Sequence, residues 1–114
     1  MAQFEYVEWL IEWLYSQEDF IFDWDDGNAT KNYLKHRIAI PEAEQIFKNI
    51  GCMVPLGIQI SPKSNEPRFG VLGITLDGKM LSAVFTTRTG MIRIISIRAM
   101  SLKERMHYVS LRKK

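Results

Sequence analysis

The 114-residue sequence has a single cysteine, Cys52, only two histidines, and no apolar run that approaches the length of a membrane span. One cysteine excludes an internal disulfide and a cysteine-rich zinc site, and with two histidines we expect no metal or other cofactor. No basic residue precedes the first apolar residues, which argues against a signal peptide. We therefore expect a cytoplasmic protein that makes no membrane contact.

The composition is that of an ordinary globular domain, with 46% hydrophobic and 25% charged residues and enough length for one core. The net charge of +2 is unevenly distributed, because residues 1–19 contain acidic residues but no lysine or arginine. All 15 basic residues lie in residues 20–114. An acidic segment ahead of a basic domain suggests a polyanion ligand, and the alternative is a solvated helix face beside a mildly basic surface.

Residues 1–19 are predicted to form an acidic amphipathic extension ahead of a domain at 20–114. Residues 3–16 are predicted to be helical, with two apolar stripes, one of Phe4, Val7, Leu10, Ile11 and Leu14 and the other of Tyr6, Trp9 and Trp13. Two stripes predict that the helix packs on two sides. The second contact is either packing within the domain or a dimer or partner interface.

The domain is predicted to be α+β, with a mainly antiparallel sheet. The predicted elements are a strand at Phe20–Trp24, a helix from Asp25 or Asp26 to His36, a helix at Glu42–Asn49, a strand at 53–60, strands at Phe69–Leu76, Met80–Thr87 and Ile92–Arg98, and a closing helix to about Arg112. Asp77-Gly78 predicts a two-residue hairpin turn. Ile92–Arg98 has apolar residues on both faces, which predicts a central strand.

The closing helix has a predicted start and a predicted buried face. Ser101 and Glu104 have the spacing of a capping box, in which each side chain bonds the other residue's backbone N–H. Leu102, Met106 and Val109 recur at helical spacing, so they are predicted to form the buried stripe.

Arginines recur at the ends of the predicted strands. Two-residue turns would place Arg68 opposite Thr87 and Arg93 opposite Thr86, which gathers Arg68, Arg88 and Arg93 at one end of the sheet. Arg98 falls at the far end. A guanidinium group is costly to leave unpaired and matches carboxylates and phosphates in geometry. The pattern therefore predicts a sheet that presents cations to a phosphate-bearing ligand.

Six short motifs follow one another along the domain: W-D at 24–25, N-x-x-K-H at 32–36, E-x-R-F-x-x-x-G from Glu66, F-T-x-R at 85–88, R-I-I-S-x-R at 93–98 and E-R-x-x-Y at 104–108. In this order and spacing the series resembles the BrnT-type toxin family over about residues 20–110. The resemblance implies a small RelE-like or barnase-like domain. It also implies a ribonuclease toxin of a type II toxin–antitoxin pair, whose activity arrests growth.

The resemblance also implies partners. We expect a small cognate antitoxin that covers the active face, single-stranded messenger RNA as substrate, and operator DNA bound only through the antitoxin. The chain departs from the family at Asn28, where members usually carry lysine, and at Arg37, where they carry glycine. Members also tend to begin near the first strand, so the helix at residues 1–18 is an addition, and a dimer through it is an open alternative.

Metal-independent RNA cleavage uses the 2′-hydroxyl as an internal nucleophile, which requires a proton acceptor, a proton donor and stabilisation of charge at phosphorus. His36 and Glu66 are the acid–base candidates, Arg68 binds phosphate, and Arg88 is the candidate that stabilises the transition state. The candidate RNA-binding residues are Lys31, Lys35, Arg93 and Arg98.

Each candidate also has a structural alternative. His36 could cap the end of its helix, Glu66 could pair with Arg68, and Arg98 could anchor a strand end. Trp24 is favoured as a core residue over a base-stacking platform. The function itself has a second interpretation, a non-catalytic binding module that acts with its partner as a co-repressor, which Asn28 favours.

Overall fold

The computed structural model describes residues 4–5, 8–17, 20–24, 37–49, 52–59 and 67–112. These residues form a five-stranded antiparallel sheet with three helices, in the order β1 (Phe4–Glu5), α1 (Glu8–Ser16), α2 (Ile40–Lys48), β2 (Val54–Gln59), β3 (Phe69–Ile74), β4 (Met80–Arg88), β5 (Met91–Ala99) and α3 (Leu102–Arg112). The strands lie in sequence order across the sheet. The α+β prediction with a mainly antiparallel sheet is therefore confirmed.

The sheet has two differently covered faces, which follow from the alternation of side chains along each strand. The first face carries Val71, Ala83 and Phe85, which belong to the large core cluster together with Leu14 of α1 and Phe47 of α2. Gly73 is required on this face, because a Cβ there would lie 2.7 Å from the Cβ of Ile46 on α2. Both α1 and α2 therefore pack against the first face.

The second face is covered at one end by α3. Tyr108 is buried there against Leu72 and Met100, and its hydroxyl donates a 2.5 Å hydrogen bond to the carbonyl oxygen of Cys52. Ser101 and Glu104 form the predicted capping box, with bonds of 2.9 and 3.2 Å. The start of α3 is thus fixed by its cap, and its position by Tyr108.

The predicted buried stripe of α3 is wrong. Leu102, Met106 and Val109 are 72%, 66% and 41% exposed. The face that points to the sheet is instead formed by Glu104 and Tyr108, which are four residues apart on the other side of the helix. A helical pattern shows that residues share a face, but it does not show which face the sheet covers.

The β3–β4 hairpin differs from its prediction by one residue. Phe69 pairs with Phe85, and Leu76, Asp77 and Gly78 form a three-residue loop in which Gly78 has φ 92°. A three-residue loop with glycine in the left-handed region is the next most common hairpin after two-residue turns. Arg68 consequently lies beside Thr86, not Thr87. The β4–β5 turn at Thr89-Gly90 has two residues, and Thr86 pairs with Arg93 as predicted.

β5 lies at the end of the strand order, so its prediction as a central strand is wrong. A bulge between Val84 and Phe85 of β4 shifts the pairing along β5, so that Ile92, Ile94 and Ile97 all face the large core cluster. Within the described part of the chain, the residues predicted as the first strand form one parallel bridge, Phe22 with Ile92. The helix predicted over residues 25–36 lies outside the described residues.

The first described residues of the N-terminal segment form a strand, which the sequence did not predict. Phe4 and Glu5 pair with Gln59 and Ile58 of β2, and the helix begins only at Glu8. Leu10 and Leu14 of the first predicted stripe are fully buried, whereas Trp9 of the second is 52% exposed. Trp13 of the second stripe nevertheless packs against the core cluster, and the ring of Trp9 lies 5.3 Å from that of Phe69. Both stripes of α1 therefore contact the domain.

Candidate functional site

Three arginines lie together on the second face of the sheet, at the end that α3 does not cover. Thr86 of β4 has Arg93 opposite it on β5, and the β3–β4 pairing places Arg68 on its other side. Neighbouring strands are about 4.8 Å apart, so the backbones of Arg68 and Arg93 are about 10 Å apart. Arg88 is the diagonal neighbour of Arg93, at about 7–8 Å. We refer to Arg68, Arg88 and Arg93 as the arginine cluster.

The backbone holds this cluster in place. The Thr86 hydroxyl is buried and donates a 2.6 Å hydrogen bond to the carbonyl oxygen of Pro67, which fixes the residue just before Arg68. Thr89 and Gly90 have φ values of 50° and 80°, so the β4–β5 turn bends tightly directly after Arg88. Each arginine is therefore positioned by the sheet or by the turn next to it.

The three guanidinium groups differ in their surroundings. Arg93 forms a 3.6 Å ion pair with Asp23, and its side chain is 21% exposed. Arg88 is exposed at the end of β4. Arg68 is half-buried, yet in the described part of the chain its guanidinium group makes no hydrogen bond or ion pair. A half-buried guanidinium without a partner is costly, so Arg68 is the group most suited to receive an anion.

Arg98 lies on the same face but at the opposite end, as predicted. Its guanidinium forms a two-bond pair with Glu104, at 2.6 and 3.1 Å, and also donates to the carbonyl oxygen of Ala99 at 3.1 Å. Burial opposes ionisation of Glu104, but the hydrogen bonds from Arg98, Ser101 and Ser82 outweigh it and hold its pKa below the usual value. Arg98 thus anchors the end of β5 to α3, and its contact with RNA stays a prediction.

Four of the predicted site residues, Lys31, Lys35, His36 and Glu66, lie outside the described residues. Trp24 is described, and it packs against the core cluster while its indole N–H donates a 2.9 Å hydrogen bond to Glu44. Trp24 is therefore a core residue, which is the interpretation that the sequence favoured.

Sequence reasoning missed two residues that shape the cluster, Thr86 and Asp23. Thr86 could have been found, because it is the threonine of the F-T-x-R motif, two residues before Arg88. Asp23 offered no such signal, since only the bridge between Phe22 and Ile92 brings it to Arg93.

The arginine cluster falls within the part of the chain that a family model matches. That model describes a "Ribonuclease toxin, BrnT, of type II toxin-antitoxin system" and covers residues 24–104. The chain belongs to the BrnT family. Membership implies a ribonuclease toxin of a type II system with a cognate antitoxin. The match begins after α1, so β1 and α1 lie outside it. A search of curated proteins found no match.

Two further observations concern the described residues only. They contain no group of three or more His, Cys, Asp or Glu side chains that could hold a metal ion. None of their helices is both long enough and apolar enough to cross a membrane.

Proposed function

We propose that this BrnT-family chain is an endoribonuclease that cleaves messenger RNA without a metal ion and binds the scissile phosphate on the arginine cluster. The observation that carries the proposal is the half-buried Arg68, which has no partner in the described residues, beside the exposed Arg88. Phosphate oxygens are the acceptors that a guanidinium pair matches best. A small antitoxin that binds operator DNA completes the pair.

In the proposed reaction the 2′-oxygen attacks the adjacent phosphorus, the bond from phosphorus to the 5′-oxygen breaks, and a 2′,3′-cyclic phosphate forms. One of His36 and Glu66 accepts the proton of the 2′-hydroxyl and the other donates a proton to the leaving 5′-oxygen. Arg88 stabilises the negative charge that develops on the phosphate oxygens, while Arg68 and Lys35 hold the ground-state phosphate. Lys31 and Arg93 contact neighbouring phosphates, and Arg98 is the most distant candidate.

Asp23 has a defined part in this proposal. Its carboxylate lies 3.6 Å from the guanidinium of Arg93, where it neutralises that cation when RNA is not bound. An approaching phosphate competes with Asp23 for the same group, since the side chains of Arg93 and Asp23 are still 21% and 33% exposed. The pair therefore orders Arg93 without closing the site.

A second candidate function is a non-catalytic co-repressor that keeps the toxin fold. It is favoured by Asn28, which stands where family members usually carry a lysine. The two functions differ in whether the purified chain cuts RNA, since both require an antitoxin.

The deciding experiment compares the parent chain with Arg88→Ala. We expect the parent to cut single-stranded RNA equally with and without EDTA and its expression to arrest growth. Arg88→Ala should lower the cleavage rate about 10²–10³-fold, because one preorganised charge on a developing anion typically contributes that much. Lys48→Ala is the matched control, since Lys48 is 56% exposed on α2 against the other face of the sheet.

Intact RNA in every arm, with harmless expression of the parent chain, would establish the co-repressor instead. Full cleavage activity of Arg88→Ala would show that Arg88 does not stabilise the transition state. Unfolding of Arg88→Ala by circular dichroism would show that its role is structural.

A further inference from the structure

The exposed stripe of α3 is an apolar surface feature that the fold does not explain. Met106 and Val109 follow Leu102 by four and seven residues, so the three share a single helix face, which is the pattern of a buried face. All three are nevertheless exposed to solvent, by 72%, 66% and 41%. Exposed apolar side chains that are contiguous on one face mark a site where another molecule docks.

The charges beside this stripe indicate what kind of molecule docks. Lys103 borders the stripe on one side and Arg105 on the other, and neither makes an ion pair or a side-chain hydrogen bond in the described residues. A cavity of about 440 Å³ adjoins Arg105 and is also lined by Arg37 and by Lys79, whose ammonium group pairs with Glu42. An apolar stripe between basic borders is complementary to a segment that combines apolar and acidic side chains.

We infer that this surface, the α3 stripe with Lys103 and Arg105, is the docking site of the cognate antitoxin that membership of the family implies. The antitoxin presents an amphipathic segment whose apolar side chains cover Leu102, Met106 and Val109. Its acidic side chains pair with Lys103 and Arg105. The inference rests on the toxin–antitoxin part of the proposed function, and it assigns the surface through which the toxin is controlled.

The position of α3 explains how docking there would block the site. α3 and the arginine cluster share the second face of the sheet, and Ser82, which bonds to Glu104 of α3, is four residues before Thr86 on β4. Four residues of strand span about 13 Å. The stripe lies on the side of α3 away from the sheet, which adds about one helix diameter of 10 Å, so a helical segment of about 15 residues anchored there reaches the cluster.

A second copy of this chain fits the surface less well, although α1 has suitable chemistry. α1 exposes Trp9 and Tyr15 and carries Glu8 and Glu12. α1 and α3 lie on opposite faces of the sheet, however, so two copies cannot exchange both contacts in a closed dimer. A head-to-tail contact would leave an uncovered surface at each end of an open chain.

The test measures binding of the purified product of the short reading frame that neighbours the gene of this chain, by isothermal titration calorimetry. Met106→Asp and Val109→Asp should each weaken binding at least about tenfold, since each places a charge within the buried contact. Lys103→Glu and Arg105→Glu should weaken it too and reduce its dependence on salt. Leu76→Asp is the matched control, because Leu76 is 82% exposed in the β3–β4 loop beside α2, and its binding should stay within about twofold of the parent.

Equal binding by the parent and both stripe variants would overturn the inference, as would a parent chain that does not bind this product. Weaker RNA cleavage by the stripe variants with unchanged antitoxin binding would assign the surface to RNA instead. A change of oligomeric state alone would assign it to self-association. A parent chain that cuts no RNA, but whose stripe variants bind antitoxin weakly, would refute the proposed catalysis and support this inference.

Discussion

Arg68 and Arg98 show how one residue type has different tasks at the two ends of one sheet face. Arg98 is matched by two hydrogen bonds to the carboxylate of Glu104, so its charge is used within the protein. Arg68 has no such partner in the described residues, although it is half-buried. The first arrangement stabilises the fold, and the second leaves a cation available to a ligand.

Replacement of Arg68 by alanine is therefore expected to weaken RNA binding while the fold is kept. Loss of one phosphate contact reduces the slope of log affinity against log salt by about 0.7 for a single-stranded nucleic acid. The measurement is a salt series of binding to an RNA whose 2′-hydroxyl at the cleavage position is blocked. Lys48→Ala again serves as control. If Arg68→Ala has the same salt slope as the parent, Arg68 does not contact phosphate.

At the scale of the element, Glu104 joins α3 to the sheet beside the buried Tyr108. The Glu104 carboxylate accepts hydrogen bonds from the backbone of Ser101, the hydroxyl of Ser82 and the guanidinium of Arg98. The pKa of Glu104 is lower in the folded chain than its usual value of 4.5. Its ionised form consequently stabilises the fold above about pH 4.5, and this stabilisation is lost as the pH falls through the lower, folded pKa.

Glu104→Gln should lower the free energy of unfolding at pH 7 by about 1.5–3 kcal/mol, the range for hydrogen bonds to charged groups. The difference from the parent should shrink as the pH falls from 5 towards 3. Urea unfolding at a series of pH values measures both effects. Glu12→Gln is the control, since Glu12 is exposed on α1 and makes no ion pair in the described residues. If the difference in free energy of unfolding between Glu104→Gln and the parent does not change with pH, the substitution acts through side-chain shape and not through charge.

At the scale of the whole molecule, the sheet separates the acidic helix from the arginine cluster. α1 packs on the first face through Leu10 and Leu14, whereas the arginines lie on the second face. The acidic residues of α1 therefore cannot compete with RNA phosphate within one chain. A dimer through α1 stays a prediction, because Trp9 and Tyr15 remain exposed.

Leu14→Ala is expected to cost about 2–5 kcal/mol of stability, because it leaves a cavity among fully buried side chains. Tyr15→Ala, at the neighbouring position of the same helix but 54% exposed, should cost about 1 kcal/mol or less. Thermal unfolding of the two variants measures the contrast. By the same argument, removal of residues 1–18 should destabilise the fold and not only change assembly. Equal melting temperatures for the parent and Leu14→Ala would show that α1 is not part of the core.

The sequence by itself determined the α+β class, the capping box of α3, the two-residue turn at Thr89-Gly90 and the gathering of three arginines at one end of the sheet. These features depend on local geometry, on period-2 alternation and on residue chemistry, all of which are present in the order of residues. The six motifs also predicted membership of the BrnT family, which the match over residues 24–104 confirmed.

Only the tertiary structure decided which faces are covered. It placed β5 at the end of the strand order, left the α3 stripe exposed, shifted the β3–β4 register by one residue and brought Asp23 to Arg93. Periodicity identifies side chains that share a face, but burial depends on which distant element packs there, and that choice is made by the whole chain at once. For the same reason the sequence predicted which arginines gather, while their separate environments became visible only in the fold.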